Sequence, residues 1–178
     1  SGGKSLDLTR SAALTENVAT AFKGPEKSGS FEVAGAVARS WLILPNPHGK
    51  PNSDIVRPWI NGQDIAGHFT DTWVVDFGTD MSEVDAANYE APFEHVLKYV
   101  KPARDMSNDP GRKRYWWRFG RNGAEMRNGV KGLPKFIVTP RVAKHRYFVW
   151  CDAAVSPDSR LLIVARADNA TFGTLSSR

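Results

Sequence analysis

Lys135-Phe136-Ile137-Val138-Thr139-Pro140-Arg141-Val142-Ala143-Lys144-His145-Arg146-Tyr147-Phe148-Val149-Trp150 holds two apolar runs on either side of a short basic interval. β-Branched and aromatic side chains suit a pleated, half-buried surface. Residues Lys135 to Thr139 and Tyr147 to Trp150 therefore read as two strands, an antiparallel pair around a loop at Pro140 to Arg146. Such a hairpin holds mobile polar tips on a rigid platform. Arg and Lys are the commonest hydrogen-bonding readers of guanine O6 and N7 in the major groove, and His can also bond base edges. A solvated loop without a partner has the same composition.

Outward from this hairpin the pattern stays mixed. Leu161 to Ala165 reads as a buried strand, and Trp73-Val74-Val75-Asp76-Phe77-Gly78 as a further one. Phe22 to Phe31 suggests two short extended pieces flanking a Gly/Pro turn. Arg57 to Ile65 suggests an extended segment and then a tight Asn61-Gly62 turn. Ala34 to Leu44 predicts a helix with Val37, Trp41 and Leu44 on one face, stopped by Pro45. Ser82 is placed to cap a helix reaching Tyr89, with Asp85 adding first-turn negative charge. A second helix starts near Pro92, carries Phe93, Val96, Leu97 and Val100 as its apolar stripe, and closes at Lys101-Pro102. There is no internal repeat. The expected fold is α+β: a small mixed or antiparallel sheet with a few short helices and long loops. Residues 1–24 read as linker or lead-in, and 25–178 as one domain, a size that can bury a genuine core.

Composition narrows the function classes. No apolar run approaches membrane-spanning length, and Ser1-Gly2-Gly3-Lys4-Ser5 lacks a signal-peptide pattern. The lone cysteine, Cys151, permits no internal disulfide, which suits a reducing, cytoplasmic setting. Charge is divided along the chain. Pro51 to Leu97 holds Asp54, Asp64, Asp71, Asp76, Asp80, Glu83, Asp85, Glu90 and Glu94 against Arg57 alone. From Lys98 to Arg146 the lysines and arginines face only Asp105, Asp109 and Glu125. A basic half of this kind is the footprint of a polyanion site, or else a solvated face. Within it, Arg112-Lys113-Arg114-Tyr115-Trp116-Trp117-Arg118-Phe119-Gly120-Arg121 interleaves cations with aromatics. Guanidinium groups bind phosphate bidentately. On a regular element the adjacent Trp116 and Trp117 cannot share one face. One is therefore expected in the core, with the other or Tyr115 at the surface; alternatively both are structural and the arginines lie over them.

Catalytic constellations are mostly missing. His48, His68, His95, His145 and Cys151 have no zinc-ligand spacing, and neither a GxSxG elbow nor a GxGxxG loop occurs. Lys27-Ser28 imitates a phosphate loop, but Glu26 stands where that loop needs glycine. Acidic residues between 64 and 94 suggest caps and solvating charges more than a catalytic pair. Three function classes remain: a DNA-binding domain, a protein docking module using the acidic half, and a stand-alone enzyme with a hidden carboxylate pair.

Several blocks together resemble one family. Arg57-Pro58-Trp59-Ile60-Asn61-Gly62-Gln63-Asp64-Ile65 and Trp73-Val74-Val75-Asp76-Phe77 resemble the opening of the TaqI-type specificity domains of adenine-N6 DNA methyltransferases. Tyr89 to Val96, Arg114 to Arg118, Thr139 to Arg146 and Thr171 to Arg178 are similar to the target recognition domain of the MmeI-like branch of class I SAM-dependent DNA methyltransferases. Leu6-Asp7-Leu8-Thr9 and Phe22-Lys23-Gly24 are similar to the family's approach to that domain.

The resemblance implies a division of labour. An upstream catalytic domain binds S-adenosylmethionine and methylates a flipped adenine, often on one chain with a nuclease. The recognition domain grips double-stranded DNA from the other side and sets the target site of the restriction-modification enzyme. Residues 1–24 would then be the lead-in from the catalytic domain, which is the expected protein partner. No [DNS]PP[YFW] motif and no glycine-rich SAM loop occur here, so no catalytic residue and no cofactor are expected in this chain. The chain ends inside the block that begins at Thr171, which implies a truncated C-terminal edge. By the family pattern, Lys144, His145, Arg146 and Tyr147 would read bases, and Arg118 and Arg141 would contact phosphates, supported by Arg112, Lys113 and Arg114. Arg57 and Trp59 would be structural.

Overall fold

A computed structural model describes residues 19–177. The α+β class holds, and the strands divide between two four-stranded sheets. The first has the order β1 (Ala21–Lys23), β8 (Leu161–Val164), β5 (Lys135–Pro140), β6 (Val149–Asp152), with every pair antiparallel. The second has the order β2 (Glu32–Ala34), β4 (Thr72–Val75), β3 (Val56–Ile60), β7 (Ser156–Pro157), and its last pair is parallel. Of the two extended pieces expected between Phe22 and Phe31, the first falls on β1, whereas β2 begins only after Phe31 and lies in the other sheet. Residues 21–23, read as the end of the lead-in, form an edge strand; the rest of the lead-in up to residue 18 lies outside the described residues.

The expected hairpin forms, but its second strand is Val149–Asp152, so Tyr147 and Phe148 fall in the loop; Phe136 lies opposite Cys151 and Val138 opposite Val149. β5 is central, and residues 136 to 139 are buried on both of its faces. Phe136 and Val138 share a core with Met126, Cys151, Leu161 and Ile163. On the other face Ile137 lies opposite Trp150, and Trp150 stacks at 4.8 Å on Phe172 of α8 (Asn169–Ser176). The block from Thr171 onward therefore covers the sheet. Asp168 caps this helix, accepting from the Thr171 N–H and hydroxyl, and these bonds hold its carboxyl below the usual range.

The larger core lies under the second sheet. Phe31, Trp59, Val74, Val75 and Phe77 pack there against Tyr89, Val96, Val100, Trp116, Trp117 and Phe119. Helix α1 (Gly35–Leu42) buries Ala38, while Val37 and Leu44 face outward, so the expected Val37–Trp41–Leu44 face is not the buried one. Asn61-Gly62 makes no tight turn. Asn61 caps α2 (Gly62–Ile65): its side chain accepts from the Gln63 N–H, while Asp64 accepts from the Asn61 N–H, completing a capping box. Ser82 caps α3 (Glu83–Ala87) as expected, accepting from the Asp85 N–H at 3.1 Å. Helix α4 (Glu90–Tyr99) buries Val96 but exposes Leu97. Lys101-Pro102 does not stop the helical run. Val100 bends it, and α5 (Lys101–Asp105) accepts the proline in its first turn, where a missing N–H leaves no bond unmade. Two more short helices follow, α6 (Pro110–Arg114) and α7 (Ala124–Val130).

Candidate nucleic-acid interface

β5 is buried and paired with β6, but the segment between them, residues 141–148, has no regular structure. Arg141, Lys144, His145 and Arg146 are exposed, and Val142 at the tip is 93% exposed. The loop is folded back on its own root: Arg146 Nη1 donates to the Pro140 carbonyl at 2.7 Å. Arg141 is held by its backbone, whose N–H donates to the Arg160 carbonyl at 2.9 Å, leaving its side chain directed along the surface near Ser159. Tyr147 is half-buried and lines an open recess of about 500 Å³ with Asn61, Gln63, Arg141 and Arg160. All four expected base-reading residues thus sit on one loop, and of them Tyr147 lines the recess. Gln63 and Arg160, absent from that expectation, share it. Asn61 and Asp64 at cap spacing are the sequence signal that places Gln63 in the first turn of a helix there.

The second basic segment is used differently along its length. Asp109 caps α6, accepting from the Gly111 and Arg112 N–H groups, and its other oxygen lies 3.4 Å from Arg112 Nε. Lys113 and Arg114 are exposed, with Arg114 over the Tyr115 ring at 5.4 Å. Tyr115 itself is exposed, whereas Trp116 and Trp117 are both buried. Adjacent residues turn inward together because Tyr115 leaves the helical conformation and no strand follows. Trp116 Nε1 donates to Glu83 and Trp117 Nε1 to the Met81 carbonyl, each at 3.0 Å. Arg118 also points inward. Its Nε and Nη2 donate to the Met81 carbonyl and its Nη1 to that of Thr79, so it pins the loop before α3.

Several carboxylates of the acidic half have partners within the domain. Asp76 is buried and pairs with Arg127 of α7 at 2.7 Å. Asp71 pairs with Arg39, Asp54 accepts from the Tyr89 hydroxyl, and Asp64 and Asp85 serve caps. Among the described residues no group of three His, Cys, Asp or Glu side chains is placed to hold a metal ion. His48 and His95 pack edge-on against Tyr89 and Trp41, and burial draws His95 below its ordinary pKa. Burial pushes the Cys151 thiol up to about 12. Trp59 is a core residue, with Lys27 Nζ 3.9 Å from its ring centre. Among the described residues no helix is long and apolar enough to cross a membrane.

Frame and surface together define an α+β domain of two sheets that exposes cations on a hairpin loop and along α6. Among solved structures it is similar to a chain of the type IIL restriction-modification enzyme MmeI, determined in complex with DNA, with a TM-score of 0.64 at 16% identity. The match covers 89% of this chain and 20% of that one, so this chain spans about one fifth of that enzyme and shares the fold of that part. No protein-family model and no curated protein matches it.

Proposed function

We propose that this chain is a target recognition domain: a non-catalytic, sequence-specific double-stranded-DNA-binding unit of a cytoplasmic, bacterial adenine-N6 methyltransferase of a restriction-modification system. The observation that carries this is the exposed cationic loop, residues 141–148, raised on a buried hairpin beside a recess lined by Tyr147 and Gln63. A backbone fixed by β5 and β6 limits the entropy lost when the tip engages a groove. The likeness to a fifth of an enzyme solved with DNA supports it.

Lys144, His145, Arg146 and Tyr147 read base edges; Arg112, Lys113, Arg114 and Arg141 contact phosphates and position the domain without sequence information. Arg118 acts indirectly, by holding the segment that bears them. S-Adenosylmethionine and the methyl transfer belong to a separate catalytic domain of the same protein. A docking module built on the acidic half gains no support, since Asp54, Asp64, Asp71, Asp76 and Asp85 are engaged within the domain.

The test is a fluorescence-anisotropy titration with random-sequence duplex at increasing salt. A log–log slope of about −3 to −6, the release expected for roughly four to six neutralised phosphates, is the expected result. No binding at low salt would overturn independent DNA recognition by this chain.

A further inference from the structure

A recess of about 420 Å³ lies between α6 and the segment from Tyr115 to Asn122. Arg104, Arg112, Arg118 and Arg121 all line it, against one carboxylate, Asp109. Arg104 is 3% exposed and has no carboxylate of its own; its Nη2 donates to the Lys27 and Arg118 carbonyls, and its Nε has no partner. Arginine is almost never buried to this degree unless paired. Arg112 Nε likewise lacks a hydrogen bond, although the Asp109 carboxylate lies 3.4 Å away. Asp109 is committed to capping α6. Glu26, near Arg121 at 3.9 Å, accepts from the Ser28 hydroxyl and lies 3.7 Å from Lys23. Burial first, and then the charge of Arg112, draw Arg104 below its ordinary pKa, so positive charge is held here at a cost. An anion would relieve that cost and supply the missing acceptor.

We propose that this recess seats one phosphate group, with Arg104 as the fixed donor at its floor and Arg112 and Arg121 as donors at its rim. The inference rests on the DNA-binding function: the phosphate is a backbone phosphodiester of the duplex. Guanidinium groups match phosphate oxygens in geometry and hold them in charge-assisted bonds. A seat of this kind helps to fix the register of the domain on the duplex.

The Arg104 Nε–H gives a resolvable arginine cross-peak in a ¹H–¹⁵N spectrum of the labelled chain, identified by its loss in Arg104→Lys. Inorganic phosphate is titrated against it, with chloride at equal ionic strength as control, and random duplex in a parallel sample. The expected result is a saturable shift with phosphate and with duplex but not with chloride. Arg121→Gln, an exposed change that leaves the core intact, weakens the phosphate response by about tenfold, the equivalent of one charge-assisted hydrogen bond. A duplex that binds by anisotropy without moving the Arg104 peak overturns the seat and leaves DNA binding intact. Movement by phosphate with no duplex binding overturns the backbone assignment together with the DNA-binding function. Equal movement by chloride overturns the seat outright.

Discussion

Arg118 and Lys113 are five residues apart in one basic segment and do different work. Arg118 gives all three guanidinium nitrogens to the Thr79 and Met81 carbonyls, whereas Lys113 is exposed. Arg118→Ala is expected to lower stability by about 2 kcal/mol in urea unfolding, because charge-assisted bonds are lost and carbonyls are left without donors. Lys113→Ala should leave the midpoint within about 0.5 kcal/mol and reduce the salt slope of DNA binding by about one unit. Equal stability of the two variants would remove the distinction. Nothing in the composition of the segment separates these cations; direction depends on Tyr115 leaving the helix, a tertiary event that also turns both tryptophans inward. Arg104 was not legible either: the expected helix closed at Lys101-Pro102, whereas the helical run continues and places Arg104 four residues beyond buried Val100. Tyr89 carries a pH signature. Burial, and then its bond to Asp54, raise the Tyr89 phenol to about 12 from 10.0. The folded state thus holds this proton more tightly than the unfolded one, so the contribution is complete below pH about 10 and is lost as pH rises towards about 12. Tyr89→Phe should flatten the fall in stability over that window; an unchanged alkaline limb would remove Tyr89 as its source.

At the scale of elements, strands were the more legible part. β5, β6 and β8 follow from runs of β-branched and aromatic residues, and β5 needs no alternation because it is buried on both faces. Helices were less so. α1 is short, and which face it buries is decided by the sheet beneath, so Ala38 lies inside while Val37 and Leu44 stay out. Asn61-Gly62 suits a hairpin turn by local chemistry, but Asp64 completes a capping box and the backbone enters a helix instead. That outcome places Gln63 on the recess that Tyr147 of the basic loop also lines. The loop can therefore be tested as a unit. Selection from a random duplex pool with the native chain should yield a preferred site. The double variant His145→Ala, Arg146→Ala should lose preference at one or two positions, by about 1–3 kcal/mol per lost bidentate contact. An unchanged preferred site would remove base reading from this loop. Arg146 also closes the loop through the Pro140 carbonyl, so Arg146→Lys is the control that keeps charge while losing the planar fork.

At the scale of the molecule, the chain passes between the two sheets repeatedly: from β1 to β2, from β4 to β5, from β6 to β7, and from β7 back to β8. The parallel β3–β7 pair and the bond from the Asp158 N–H to the Ile60 carbonyl complete the second sheet, and Ile60 packs against the core of the first. The charge division seen along the sequence turns out to stitch the same seam. Asp76, from the acidic half, follows β4 of one sheet, and Arg127, from the basic half, belongs to α7, which packs on β1 of the other. Opposite charges far apart in sequence read as two faces until the fold brings them together, so their pairing was beyond the reach of composition. Removing the carboxylate leaves a guanidinium without its counter-charge at that seam. Asp76→Asn is therefore expected to destabilise the domain by about 3 kcal/mol, the lower end for a buried pair that loses one partner. Because both sheets share the seam, the loss should appear as one shifted transition. Tryptophan fluorescence, dominated by Trp59, Trp116 and Trp117 under the second sheet, and far-UV circular dichroism should move together in urea. Separated transitions would mean that the first sheet folds independently. The 141–148 loop on β5 and β6 would then be held by that sheet alone, and Asp76 would have no bearing on how firmly it is held.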